Sequence, residues 1–180
     1  MRKWHLPIIM IIFLCGLSSC SSLRKAQPSK SRVNLDESTI HVLDGKFIER
    51  VKIPNKKNPA SLSWNIFDRG YNAESQESYI EIKAISSNQL SISYWDSTTL
   101  LKSKIFKGRI KNDYFIFKRK YLVIPAIFVN LFRNRSFRIG LLPNNNLITD
   151  YSQFSFATFY IIFPDISVRR EFDVEYRRIE

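Results

Sequence analysis

The sequence predicts an all-β domain, an antiparallel meander forming a small barrel or a two-layer sandwich, carried after a flexible N-terminal tether. Three observations predict it. Short segments rich in Ile, Val, Phe, Tyr and Thr recur at close intervals along most of the chain. Clusters such as Ser86-Ser87-Asn88, Asp96-Ser97, Lys111-Asn112-Asp113, Asn134-Arg135 and Pro143-Asn144-Asn145-Asn146 separate them, and these residue types accept the geometry of tight turns. Within segments, apolar and polar residues alternate. Ile80, Ile82 and Ala84 stand against Glu81 and Lys83, and Leu90, Ile92 and Tyr94 against Gln89, Ser91 and Ser93, so one face is buried and the other wetted.

The first element is not part of that domain. Arg2 and Lys3 give a charged start, Ile8 to Leu14 an apolar run, and Gly16-Leu17-Ser18-Ser19 a stretch of mostly small residues, which together form the anatomy of an export signal over residues 1–19. The apolar run is far shorter than the roughly 20 residues a membrane-spanning helix requires, and Pro7 and Gly16 bound it. Leu17-Ser18-Ser19-Cys20 resembles the lipobox of bacterial lipoprotein precursors: an aliphatic residue, two small residues, then cysteine. The resemblance covers only the signal and its junction. It implies that Cys20 is lipidated on its thiol, becomes the mature N-terminus and is often acylated again on its amine. Each buried methylene contributes about 0.8 kcal/mol, so two or three chains anchor a protein where one does not.

Residues 20–40 are polar and small and read as the flexible tether, with a short helix near Leu35 to Val42 capped by Asn34 or Asp36. Arg24, Lys25, Lys30 and Arg32 are placed by this reading against lipid headgroups. Residues 41–180 form the single β domain. Its expected strands are Gly45 to Ile53, Tyr79 to Ser86, Gln89 to Trp95, Thr99 to Ile110, Tyr114 to Lys120, Tyr121 to Val129, Ser136 to Leu142, Asn146 to Thr149, Gln153 to Phe163 and, last, Asp165 to Glu180. Pro59 to Gly70 fits neither period and reads as a strand or a helical turn packed on the sheet; Gly70 to Ser78 reads as an exposed loop.

The residue inventory removes several chemistries. Cys15 leaves with the signal and Cys20 is capped, so no disulfide, cysteine nucleophile or cysteine-held metal is expected, and His41 is the one histidine past the signal. A Ser-His-Asp triad requires His41, which lies where the tether meets the domain and reads as a surface residue. The five glycines are scattered, which excludes phosphate-binding and dinucleotide loops, and no cofactor is expected. Asp36/Glu37, Asp68, Glu74/Glu77 and Asp113 are available as paired carboxylates for glycoside chemistry, but all fall at polar turns, so no catalytic residue is assigned. With 28 Lys plus Arg against 16 Asp plus Glu, the chain favours anionic partners. For an anchored, exported protein that means lipid headgroups, and nucleic acid is not expected.

The most unusual stretch runs from Lys118-Arg119-Lys120 to Arg133-Asn134-Arg135, with apolar residues from Tyr121 to Phe132 bracketed by bases. It is expected to be a strand buried on both faces, with Pro125 at a bulge or edge; the alternative is a membrane-facing element inserting Phe128, Leu131 and Phe132. Phe154, Phe156, Phe159, Tyr160 and Phe163 line a cavity or pack in the core. Gly45-Lys46-Phe47 resembles the Gly-x-Trp opening strand of lipocalin-like barrels, with Phe in place of Trp, which implies as alternative a carrier of a hydrophobic ligand or lipid. The expectation is a non-enzymatic structural or interaction module. It is anchored in the bacterial envelope, on the outer membrane facing the periplasm, because Ser21 and Ser22 follow the anchor without acidic retention residues.

Overall fold

A computed structural model describes residues 30–54, 58–67, 77–123, 129–159 and 163–179. In chain order the elements are a 3-10 turn (Ile40–Leu43), β1 (Gly45–Ile48), β2 (Arg50–Val51), β3 (Ala60–Ser61), α1 (Leu62–Phe67), β4 (Ser78–Ser86), β5 (Gln89–Asp96), β6 (Thr99–Lys107), β7 (Arg109–Lys111), β8 (Tyr114–Val123), β9 (Val129–Leu141), β10 (Leu147–Phe159) and β11 (Phe163–Tyr176). Two antiparallel sheets result, one ordered β1-β4-β5-β6 and the other β11-β10-β9-β8-β7, with β2 and β3 paired separately. This is the expected all-β meander, and its strands stop short of a closed barrel. The two free edges still approach each other. Ile48 N–H donates to Arg177 O at 3.0 Å and Ile179 N–H to Lys46 O at 2.7 Å, so β1 meets the chain after β11.

One core joins the two sheets. From the first come Phe47, Ile80, Ile82, Leu90, Ile92, Tyr94 and Phe106; from the second Phe115, Phe117, Phe137, Ile139, Leu141, Leu147, Tyr151, Val174 and Tyr176. Their period-2 spacing follows from the pleat, which sends alternate side chains to opposite faces. The aromatic rings interlock, Phe106 on Phe117 at 4.7 Å and Phe117 on Phe137 at 5.2 Å between centroids. These side chains pack in the space between the two sheets.

The chain changes sheet at Gly108. A Cβ there would lie 2.5 Å from Phe115 Cζ and 2.6 Å from Ile116 O, so only glycine lets the strand turn this close to β8. The single strand expected over Thr99 to Ile110 is therefore divided into β6 and β7. Elsewhere the chain is less divided than its turn residues predict. Tyr114 to Lys120 continues into Val123 as one strand, Ser136 to Leu142 is the inner half of β9, and Asn146 to Thr149 joins Gln153 to Phe163 in β10. Where Asp150-Tyr151-Ser152 suggested a break, the irregularity is a bulge between β10 and β11. Asp173 adopts a φ of 53° there, and its N–H donates to Asp150 Oδ1 at 2.8 Å. The expected strand Gly45 to Ile53 bends at Glu49, and Pro59 to Gly70 supplies β3 and the short helix α1.

The segment expected to be tether as far as Ile40 is packed on the domain from Val33 onward. Leu35 and Ile40 are buried in the core, and Val33 N–H donates to Leu141 O at 2.9 Å. Residues 30–35 thus form a strap: Lys30 and Arg32 lie over the outer face of the five-stranded sheet, while Val33 and Leu35 pack with the core between the sheets. Arg32, expected against headgroups, instead stacks on the Tyr114 ring at 4.1 Å with 4 % of its side chain exposed. Gly140 makes room for it, since a Cβ there would meet Tyr114 at 3.1 Å and Arg32 Cδ at 3.3 Å.

Candidate functional site

The long strands β8 to β11 run past the end of the shared core, and the projecting part is the most distinctive surface of the protein. Register defines its rows. On the inner face the last core row is Phe117, Phe137 and Tyr151; beyond it come Arg119, Arg135, Gln153 and Arg169, then Arg133 with Ser155. Arg135, only 7 % exposed, donates from Nε to Gln153 Oε1 at 2.7 Å, and the Tyr151 hydroxyl donates to the same oxygen at 2.6 Å. Gln153 in turn donates to Ser155 Oγ at 3.0 Å, which also accepts from Arg133 Nε at 3.3 Å. Four guanidiniums therefore crowd one end of the inner face, and a neutral amide and hydroxyls serve as acceptors for two of them.

Two buried carboxylates stand behind this belt, both held by α1. Glu49 accepts hydrogen bonds from Ser61 and, at 2.6 Å, from Ser63, and pairs with Arg50 Nε at 2.8 Å. Glu171 accepts from Asn65 Nδ2 at 2.9 Å and from Arg169 at 2.9 Å. Arg119 donates to Ile66 O at 2.9 Å, satisfying a carbonyl of the last turn of α1. The six-residue helix is thus pinned by charge-assisted bonds as well as by Leu62 and Ile66. Burial pushes the Tyr176 phenol well above its ordinary range, and Glu171 and Glu49 add to the shift, so it stays neutral. Glu49 thus gathers two serine hydroxyls and a guanidinium, and Glu171 an amide and a guanidinium.

The outer face of the same projection carries an apolar patch. Phe132, Phe156 and Ile166 share one row, and Lys120, Asn134, Phe154 and Val168 the next; Lys118, Ser136, Ser152 and Arg170 follow toward the core. Ile166 is 62 % and Val168 54 % exposed, and the rings of Phe132 and Phe154 lie 6.2 Å apart. Phe132, Phe154 and Phe156 are half-buried on this outer face, so Phe154 and Phe156 lie apart from the core between the sheets. The stretch from Lys118 to Arg135 is not one strand: its two ends lie in paired strands, β8 as far as Val123 and β9 from Val129. Pro125, Phe128 and Tyr160 lie outside the described residues.

The lipidation residue, Cys20, also lies outside the described residues. His41 is a surface group paired with Asp44 at 3.1 Å. Of the carboxylates weighed from sequence, Asp36, Glu37 and Asp113 come to the rim of one cleft with Ser87, Asn88 and Arg109. Asp36 and Asp113 are already engaged there. Asp36 closes a turn by accepting from Ser38 and Thr39, which lowers its pKa chiefly through the Ser38 hydroxyl, and Asp113 accepts from Leu35 N–H at 3.4 Å. Glu77 accepts from Ser97 at 3.5 Å, and Asp68 and Glu74 lie outside the described residues. Among the described residues no group of three His, Cys, Asp or Glu side chains could hold a metal. Sequence reasoning passed over Glu49 and Glu171; the one signal is at Glu49, a charge alternating with Phe47 and Val51. Comparison with family models, curated proteins and solved structures gives no match.

Proposed function

We propose that the chain is a membrane-anchored lipoprotein of the bacterial envelope, held through Cys20, whose β domain is a non-enzymatic structural or interaction module. The observation that carries this reading is Leu17-Ser18-Ser19-Cys20 directly after a charged and apolar leader. Other features agree with it. The domain proper starts by Val33, close behind the proposed anchor, and its charge of +12 over the chain suits a surface of anionic headgroups. Both buried carboxylates are bound in the architecture. Among the described residues no helix is long and apolar enough to cross a membrane. The compartment proposed is the outer membrane, periplasmic side. A carrier of a hydrophobic ligand is the second reading, favoured by the half-exposed rings of Phe132, Phe154 and Phe156. Its ligand would sit on the projecting sheet, beside these rings.

The anchor is tested by Cys20→Ala. The variant is expected to lose both cleavage before residue 20 and detergent-extractable attachment of the mature form, while the folded domain retains its β-sheet circular dichroism. Unchanged trimming at the same bond, with continued sedimentation in the membrane fraction, would overturn the proposal.

A further inference from the structure

We infer that the outer face of the projecting sheet is a bilayer-contact surface, inserting Phe132, Phe156 and Ile166 among the acyl chains of an anionic membrane with Lys118, Lys120 and Arg170 at headgroup level. The inference deepens the lipoprotein reading by naming the face turned to the membrane. Its first ground is arrangement. The row of Phe132, Phe156 and Ile166 is apolar, Phe154 and Val168 continue it in the next row beside the exposed Lys120, and the exposed bases Lys118 and Arg170 lie one row further toward the core on the same face. Apolar groups ahead of a cationic collar are what a protein meeting an anionic interface presents. A neutral protein partner would give no reason for the collar.

The second ground is reach. The strap places Lys30 against Glu175 on this same outer face, in the row of Ile148 and Gly140. The apolar row lies eight residues further along β9, at Phe132, which is about 27 Å at roughly 3.4 Å per residue. Ten peptide units separate Cys20 from Lys30 and span at most roughly 36 Å. A lipid on Cys20 is therefore able to sit in the bilayer that the projecting end touches. The face that carries the tether is also the face that carries the apolar patch.

Depth-dependent quenching tests this. Full chains with Cys15→Ser and either Ile166→Cys or, as control on the far sheet, Ile105→Cys are matured in cells, labelled with an environment-sensitive fluorophore and reconstituted into phosphatidylglycerol vesicles containing brominated acyl chains. Ile105 is 53 % exposed and lies on the four-stranded sheet. The probe at 166 is expected to be quenched several-fold more than that at 105. Lys118→Glu with Lys120→Glu and Arg170→Glu is expected to remove most of the difference, as is replacing phosphatidylglycerol by phosphatidylcholine. Equal quenching at both sites, in protein that floats with vesicles and carries acylated Cys20, overturns the inference and leaves the anchor standing. A probe at 166 that is shielded but unquenched and crosslinks to another copy also overturns it, in favour of self-association. If Cys20 proves unmodified, the anchor reading has failed separately. The same comparison in a Cys20→Ser background with added vesicles then decides the face by the same criterion.

Discussion

At the scale of single residues, the strap shows how a few polar contacts fix a segment that composition describes as loose. Glu175 accepts from Lys30 at 2.6 Å and from Asn146 and Asn144 at 2.8 and 3.1 Å. These bonds, Lys30 first, lower its carboxyl from an ordinary 4.5 to about 2. A carboxyl whose folded pKa is depressed contributes stability that is present above its unfolded pKa and lost as pH falls toward the folded one. Glu175→Gln is therefore expected to lower stability at neutral pH and to flatten the loss between about pH 5 and 2, as read by urea midpoints across that range. The effect is small, because Lys30 is 46 % exposed and solvent screens the pair. An unchanged acid slope contradicts this assignment. Nothing local to Glu175 announces the pair, since Lys30 is 145 residues away in sequence.

At the scale of elements, alternation was a good guide and turn chemistry a partial one. β4 and β5 agree with the sequence to within a residue at each end, because Ile80, Ile82, Leu90, Ile92 and Tyr94 alternate without interruption and Ser87-Asn88 closes the hairpin. The long strands were harder. Asn134-Arg135 and Asp150-Tyr151-Ser152 look like turns, yet they lie within β9 and β10, where Asn134 pairs with Phe154 and Asp150 meets Arg138 at 2.7 Å. Polar residues stay in a strand when the neighbouring strand supplies partners, and that information is nonlocal. Gly108 reads in sequence as the interior of one strand, Thr99 to Ile110, and instead divides it. Its role appears only with Phe115 beneath it, so Gly108→Ala is expected to cost about 1–3 kcal/mol by overpacking against a backbone carbonyl that cannot withdraw. Chemical denaturation measures this, and a change below about 0.5 kcal/mol, the usual range for a surface substitution, argues that the crossover is loose.

At the scale of the whole molecule, a two-sheet body with a filled core projects four long strands beyond that core. The charge excess and the bracketed apolar run were visible in sequence, but not that they assemble on a sheet end. Register created that surface by setting Phe132, Phe156 and Ile166 side by side from three strands. The buried pair of carboxylates at α1 was hidden for a related reason: Glu49 and Glu171 are neighbours of the helix only after the chain has closed on itself. In the proposed account, a lipid at the N-terminus confines this body to a membrane and the projecting end presses on it. Intact-mass spectrometry of the protein extracted from membranes tests the anchor most directly. The account predicts a chain starting at Cys20 and carrying a diacylglyceryl group, with or without a further acyl chain on its amine. A mature chain that starts elsewhere, or has an unmodified thiol at Cys20, would contradict it.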